Sequence, residues 1–220
     1  YGCRIASGFW LTIELVAIST TLGFVIALCV ALVRLKGPGW ARGMMAAYTT
    51  FFRGTPLLGQ LFLVYYGFGS FRIFWQDVGL WWFFREPLYC ALFTFTINTA
   101  AYQAEILRGA IAAVPRGQVE AAKALGLTRF QLLHRVVLPQ AMIIALRPLG
   151  NELITMIKSS AVASLVTLFD LMGATKLAFA RSFDLSIYLV AAVVYLLLVE
   201  TIRRVWMRLE AHLTRHMKLA

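Results

Sequence analysis

Charge is the scarcest commodity in this sequence. Asp, Glu, Lys and Arg make up 14% of its 220 residues, where about 25% is usual for a soluble domain. Acid is scarcer than base: ten Asp and Glu face 21 Lys and Arg, for a formal net charge of +11. The three cysteines, Cys3, Cys29 and Cys90, are odd in number and unrelated in spacing, which excludes a disulfide framework. His134, His212 and His216 are too scattered to ligate a metal, and no Ser–His–Asp or Cys–His constellation is recognisable. There is no Gly-x4-Gly-Lys-Ser/Thr phosphate loop, so the chain is not itself an ATPase. What abounds is apolar surface, with 60% hydrophobic residues and a mean hydropathy of +0.76. A soluble fold of this size cannot hide that much. The composition is that of an integral membrane protein, and its basic excess reads as cations at the cytoplasmic face rather than as a nucleic-acid footprint.

A helix crosses about 30 Å of hydrocarbon with roughly 20 apolar residues. By that measure the sequence predicts an all-α fold with five spans, at 9–33, 54–69, 88–107, 141–165 and 186–202. The first is too long for a signal-peptide core, so it is expected to stay in place. The second is the least regular: an apolar stretch at 44–52 stops at Arg53-Gly54-Thr55-Pro56, and a helix restarts beyond it. In the fourth, Pro148 is expected near the helix start, where its missing N–H is tolerated. If the N-terminus lies outside, fifteen Lys and Arg fall on inner segments, five on outer ones, and Lys158 inside a span. The positive-inside rule then puts Tyr1 outside and Ala220 in the cytoplasm. The aromatic segment 71–84, with Trp75, Trp81 and Trp82, becomes an outer interfacial belt.

One long polar segment, 108–140, interrupts the apolar chain on the inner side. Pro115 precedes a short helix over 117–125, and Gly126 supplies a left-handed stop. Thr128-Arg129-Phe130-Gln131 is a capping-box pattern that starts a second helix, and Leu138-Pro139 is expected to end it. The segment is either a solvated connector or an elbow built to present its first helix.

The spacing bears on that choice. Glu120-Ala121-Ala122, then Gly126, then Val136-x-Leu138-Pro139 resembles the EAA loop of ABC-transporter permeases (E-A-A-x3-G-x9-I-x-L-P), with Val136 the one conservative departure. Phe52-Arg53-Gly54-Thr55-Pro56-Leu57-Leu58 with Gln60-Leu61-Phe62 resembles the second signature of the polar amino acid importer group. Ala112-x-Val114-Pro115-x-Gly117-Gln118, and Asn151 followed by Lys158-Ser159-Ser160, fit the same group. The resemblance covers nearly the whole chain, most weakly 1–32 and 71–87. It implies a type I importer permease in a bacterial inner membrane, leaning toward the histidine, lysine, arginine and opine branch. It implies that Glu120, Ala121, Ala122 and Gly126 form a coupling helix, with Leu138 and Pro139 closing the motif. Implied partners are ATP-binding-cassette subunits, which would carry ATP and Mg, a second identical or sister permease, an extracytoplasmic amino acid binding protein, membrane lipid and the amino acid itself.

Polar residues inside spans are costly, so each is a candidate. Asn151, Lys158, Ser159 and Ser160 are read as lining a substrate path, the alternative for Lys158 being an internal carboxylate or a snorkelled position. Asn98, Thr99 and Tyr102 form a stripe at helical spacing that either meets a zwitterion or hydrogen-bonds neighbouring helices. Glu14, Glu105 and Glu200, nearer span ends, are expected to be solvated or paired. The rivals to a permease are a secondary transporter, which would want an internal repeat and more spans, and a membrane scaffold, which would need no elbow.

Overall fold

The computed structural model describes residues 2–215, and among these every regular element is helical. Tyr1, His216, Lys218 and Ala220, which entered the readings above, lie outside the described residues. Helix α1 runs over Gly2–Lys36 and stops at Gly37-Pro38. Pro38 then starts α2, Gly39–Gly54. The residue before a proline is driven to extended backbone, and Thr55, ahead of Pro56, has φ −112° and ψ 146°. Helix α3, Leu57–Phe62, restarts there, widens through a π turn and then tightens through a 3₁₀ turn to Ser70. Two short aromatic helices follow, α4 (Arg72–Asp77) and α5 (Trp81–Phe84), with Trp75 stacked on Phe84 at 4.2 Å.

Helix α6, Pro87–Ala112, is the axle of the fold. It packs on α1, on α2 and α3, and on the later helix α9 (Leu138–Ser159). Its buried side is built from Ala91, Ala100, Ala101, Ala104 and Ala110 with Thr94 and Thr99, small residues that let backbones approach. The closest approach is at Gly23 of α1, where a Cβ would stand 2.7 Å from the Thr99 methyl and 3.2 Å from the Thr96 carbonyl. Being enclosed also explains how α6 tolerates polar groups, since they face protein and not lipid.

The inner loop contains α7, Arg116–Ala124, and α8, Arg129–Gln131. Here the structure corrects the expected break at Leu138-Pro139. From α8 the chain passes through a π turn, Leu132–Val137, directly into α9 and on through a 3₁₀ turn to Val166, a single helix of 38 residues. In a π turn the carbonyls bond five residues on, as the Leu133 carbonyl does with the Leu138 N–H, and the widened turn gives room to the Pro139 ring, which in a regular α-helix clashes with the carbonyl four residues back. Pro148 accordingly sits inside α9 and not near a helix start, and it has no N–H to give the Ile144 carbonyl. Helix α10, Leu171–Ser182, was not foreseen; it is capped by Asp170 and docks on α1, where the Leu171 N–H donates to Thr12 Oγ1 at 3.1 Å. Helix α11, Ser186–Leu213, closes the chain against α9.

Among the described residues three helices are long and apolar enough to cross a membrane: Arg4–Lys36, Arg129–Val166 and Ser186–Leu213. Leu57–Ser70 is a shorter apolar helix. Helix α6 has the length, at 26 residues, but its composition is that of a helix wrapped by others.

Candidate functional site

The inner elbow is built by backbone chemistry. Pro115 sets the start of α7, and at its end the Gly126 N–H bonds the Lys123 carbonyl (2.9 Å) while the Leu127 N–H bonds that of Ala122 (3.2 Å). This crossed pair is a Schellman stop, which needs a left-handed residue at its centre. Gly126 has φ +74°. Thr128 and Gln131 then form the reciprocal capping box: the Thr128 N–H donates to Gln131 Oε1 (3.0 Å) and the Gln131 N–H to Thr128 Oγ1 (3.3 Å). One side of the elbow is packed, with Ala122 buried against Val114, Leu132 and Val137. The other side is bare: Glu120, Ala121, Lys123, Ala124 and Gly126 are exposed, and so are Leu125 (81%) and Phe130 (76%). Leu138 is half-buried and Pro139 exposed, two turns further along the same helix.

The stripe on α6 is fully engaged. Pro56 has no N–H for the Phe52 carbonyl, and that carbonyl is taken instead by the side-chain amides of Gln60 (2.9 Å) and Asn98 (3.1 Å). Asn98 also donates to Gln60 Oε1 at 2.9 Å. One turn on, the Tyr102 hydroxyl donates to the Arg53 carbonyl at 3.2 Å, and the Thr99 hydroxyl reaches Glu152 Oε1 on α9 at 3.1 Å. Asn98 and Tyr102 therefore hold the C-terminal turn of α2. Sequence reading had no signal for Gln60 in this role, although a glutamine four residues after a proline in an apolar stretch was a visible oddity.

The stripe on α9 is not engaged. Asn151, Thr155 and Lys158 are exposed on one face, in line with Ile144 and Pro148 below them. Among the described residues Lys158 has no hydrogen bond or ion pair, and the Thr155 hydroxyl merely donates to the Asn151 carbonyl (2.9 Å). Ser159 is half-buried, and buried Ser160 turns away to donate to the Ile157 carbonyl at 2.7 Å. The structure thus brings Asn151 and Lys158 to a common face and leaves Ser160 in the core.

Glu105 is paired, as expected, and its partners are three. Arg34 of α1 meets Oε1; Arg108 grips Oε2 through two nitrogens, at 2.9 and 3.0 Å; and Arg53 lies 4.0 Å away. Thr49 links Arg34 and Glu105 through its hydroxyl. Glu200 pairs with Arg203 and Arg204, while Glu14 is exposed.

Comparison with known proteins shows the family and the fold. Residues 10–213 match the family model described as the binding-protein-dependent transport system inner membrane component. The nopaline transport system permease NocM of Agrobacterium fabrum is 39% identical over 94% of this chain and 86% of its own. The arginine ABC transporter permease ArtM of Haemophilus influenzae is 35% identical over 88% and 85%. A solved amino acid ABC transporter with histidines contains a chain that superposes with a TM-score of 0.85 at 30% identity, covering 96% of this chain and 95% of that one. The inward-facing methionine ABC transporter MetNI, at 22% identity and a TM-score of 0.79, shares the fold.

Proposed function

This chain belongs to the binding-protein-dependent transport system inner membrane component family, and from that premise we propose that it is the permease of an ATP-driven importer for basic amino acids or opines. Its homologues are permeases of amino acid and opine transport systems. On this reading five spans cross the membrane with the N-terminus outside, the second over 54–69 following α2, and α7 lies in the cytoplasm. The exposed outer side of α7 docks on an ATP-binding-cassette subunit that carries ATP and Mg, a second permease completes the path, and an extracytoplasmic binding protein delivers substrate. The exposed face of α9, Asn151 to Lys158, lines that path.

The observation that carries the reading is the elbow. A helix packed on one side and bare on the other, set by a glycine stop on a rigid capping box, transmits movement only to a body that holds its bare side. Gly126→Val places a β-branched residue at positive φ, which it tolerates poorly. Glu120→Lys changes the charge of the bare surface and touches no span. Both variants should insert normally, yet uptake should fall, and the ATPase should either fail to co-purify or hydrolyse ATP without responding to substrate. Normal uptake with the ATPase retained in both would reduce the segment to a connector. Reporter fusions after residue 213 should read as cytoplasmic.

A further inference from the structure

Between the end of α2, α6 and α9 lies an open cleft of about 600 Å³, lined among others by Arg53, Tyr102, Arg108, Ile144 and Pro148. Its charge is unbalanced. Three guanidiniums, Arg34, Arg53 and Arg108, converge on one carboxylate, Glu105. The next carboxylate along, Glu152, is engaged by Thr99, and counting it still leaves one positive charge over. Arg53 holds that surplus. Its nearest carboxylate oxygen is 4.0 Å off, beyond hydrogen-bond reach, and its guanidinium rests over the Tyr102 ring at 5.6 Å with the side chain 44% exposed. The backbone beneath it is fixed by Tyr102 and Asn98. A planar cation whose backbone is anchored and whose contact with Glu105 is as long as 4.0 Å keeps N–H donors to offer an oxyanion.

We propose that this cleft is an inner station for the α-carboxylate of the transported amino acid, with Arg53 and Arg108 as its ligands. The proposal rests on the importer reading above and names the group that the path recognises. Two observations favour an amino acid over a lipid phosphate. Pro148 leaves the Ile144 carbonyl without its helical partner, and both residues line the cleft, which offers an ammonium group an acceptor beside the carboxylate's donors. The cleft is also continuous with the exposed α9 face, since Ile144, Pro148, Asn151, Thr155 and Lys158 recur at helical spacing. Lys158 stands ten residues above Pro148, about 15 Å at 1.5 Å per residue. A carboxylate leaving one cation passes uncharged side chains before it meets the next.

The test uses the permease co-assembled with its ATPase in nanodiscs, without the binding protein, and measures equilibrium binding of labelled arginine and octopine. Argininamide, which lacks the carboxylate, competes. A Lys158→Ala background makes the inner cleft the remaining station. There the acid should still outcompete the amide about ten-fold, the scale of one charge-assisted contact. Adding Arg53→Gln should bring that ratio near one, while Arg53→Lys, which keeps the charge and loses the fork, should fall between. Elution of each variant as the intact permease–ATPase assembly on size exclusion checks that it is folded. Arg53→Gln that leaves the ratio unchanged overturns the station and spares the importer reading. Loss of bound phosphatidylglycerol from Arg53→Gln discs, with amino acid binding unaltered, also overturns it by assigning the cleft to lipid. If the unmodified assembly binds neither amino acid, the substrate reading falls and the station with it.

Discussion

Asn98, Thr99 and Tyr102 on α6 and Asn151, Thr155 and Lys158 on α9 are stripes of the same kind: uncharged or singly charged polar residues, at helical spacing, in the middle of an apolar chain. Within the protomer they have opposite fates. Every member of the α6 stripe donates to a neighbouring helix, two of them to carbonyls at the end of α2. Among the described residues the α9 stripe donates to nothing outside its own helix. A satisfied stripe spends its polarity on holding the fold together. A bare stripe of equal polarity keeps it for something that arrives from outside the protomer.

The sharpest way to break this contrast is Asn98→Leu. It removes the donor shared by the Phe52 carbonyl and Gln60 Oε1 in a buried site, and should cost about 1–2 kcal/mol. The melting temperature of the detergent-solubilised permease should fall by several degrees; an unchanged melt would mean that Gln60 alone suffices.

Asp170 is an intermediate case, buried but half satisfied. Its Oδ1 accepts the Gly173 N–H at 2.9 Å, while Oδ2 has no partner among the described residues. It lies between the fourth and fifth spans. Burial pushes its carboxyl up to about 6, against the pull of the Gly173 and Met172 N–H groups and of Lys176. The unfolded value is near 4, so the folded state binds the proton more tightly, and stability falls as pH rises from about 4 to about 6 before levelling off. Melts should therefore be higher at pH 5 than at pH 7, and Asp170→Asn should flatten that slope. A wild-type melt that is lower at pH 5, with the slope altered by the substitution, would reverse the assignment.

On the bare stripe the expected stability effects are smallest. Asn151→Ala and Thr155→Val should change stability by no more than about 0.5 kcal/mol. Uptake in the assembled transporter should nevertheless fall, and fall further for Lys158→Ala. Lost stability with unchanged uptake would move this stripe into the same class as the one on α6.

The elbow was legible in the sequence because its signals are local. Pro115, Gly126 and the Thr128–Gln131 pair act within four residues of themselves, and the structure has each doing what its chemistry suggests. The α9 stripe was legible as a periodicity. Continuity through Leu138-Pro139 was not, because proline signals a stop unless the turn before it is widened, and a π turn leaves no residue signature. Nor was the Glu105 hub, whose arginines come from α1, α2 and α6 and meet only when those helices pack. Helix α10 escaped notice because Leu171–Ser182 is short and mixed in polarity, and Asp170 and Thr12 that anchor its start are 158 positions apart in the chain.

The unbroken helix from Arg129 to Val166 has a mechanical meaning. Thirty-eight residues at 1.5 Å each make a strut of roughly 57 Å, with the elbow clamped to one end and Lys158 near the other. A strut delivers torque as well as thrust. Each residue of an α-helix subtends about 100°, so one residue more or less in the wide turn at Leu132–Val137 swings everything beyond it by that angle without breaking the rod. The wide Leu132–Val137 turn lies between the elbow and the bare face, so such a change there would turn that face relative to the elbow.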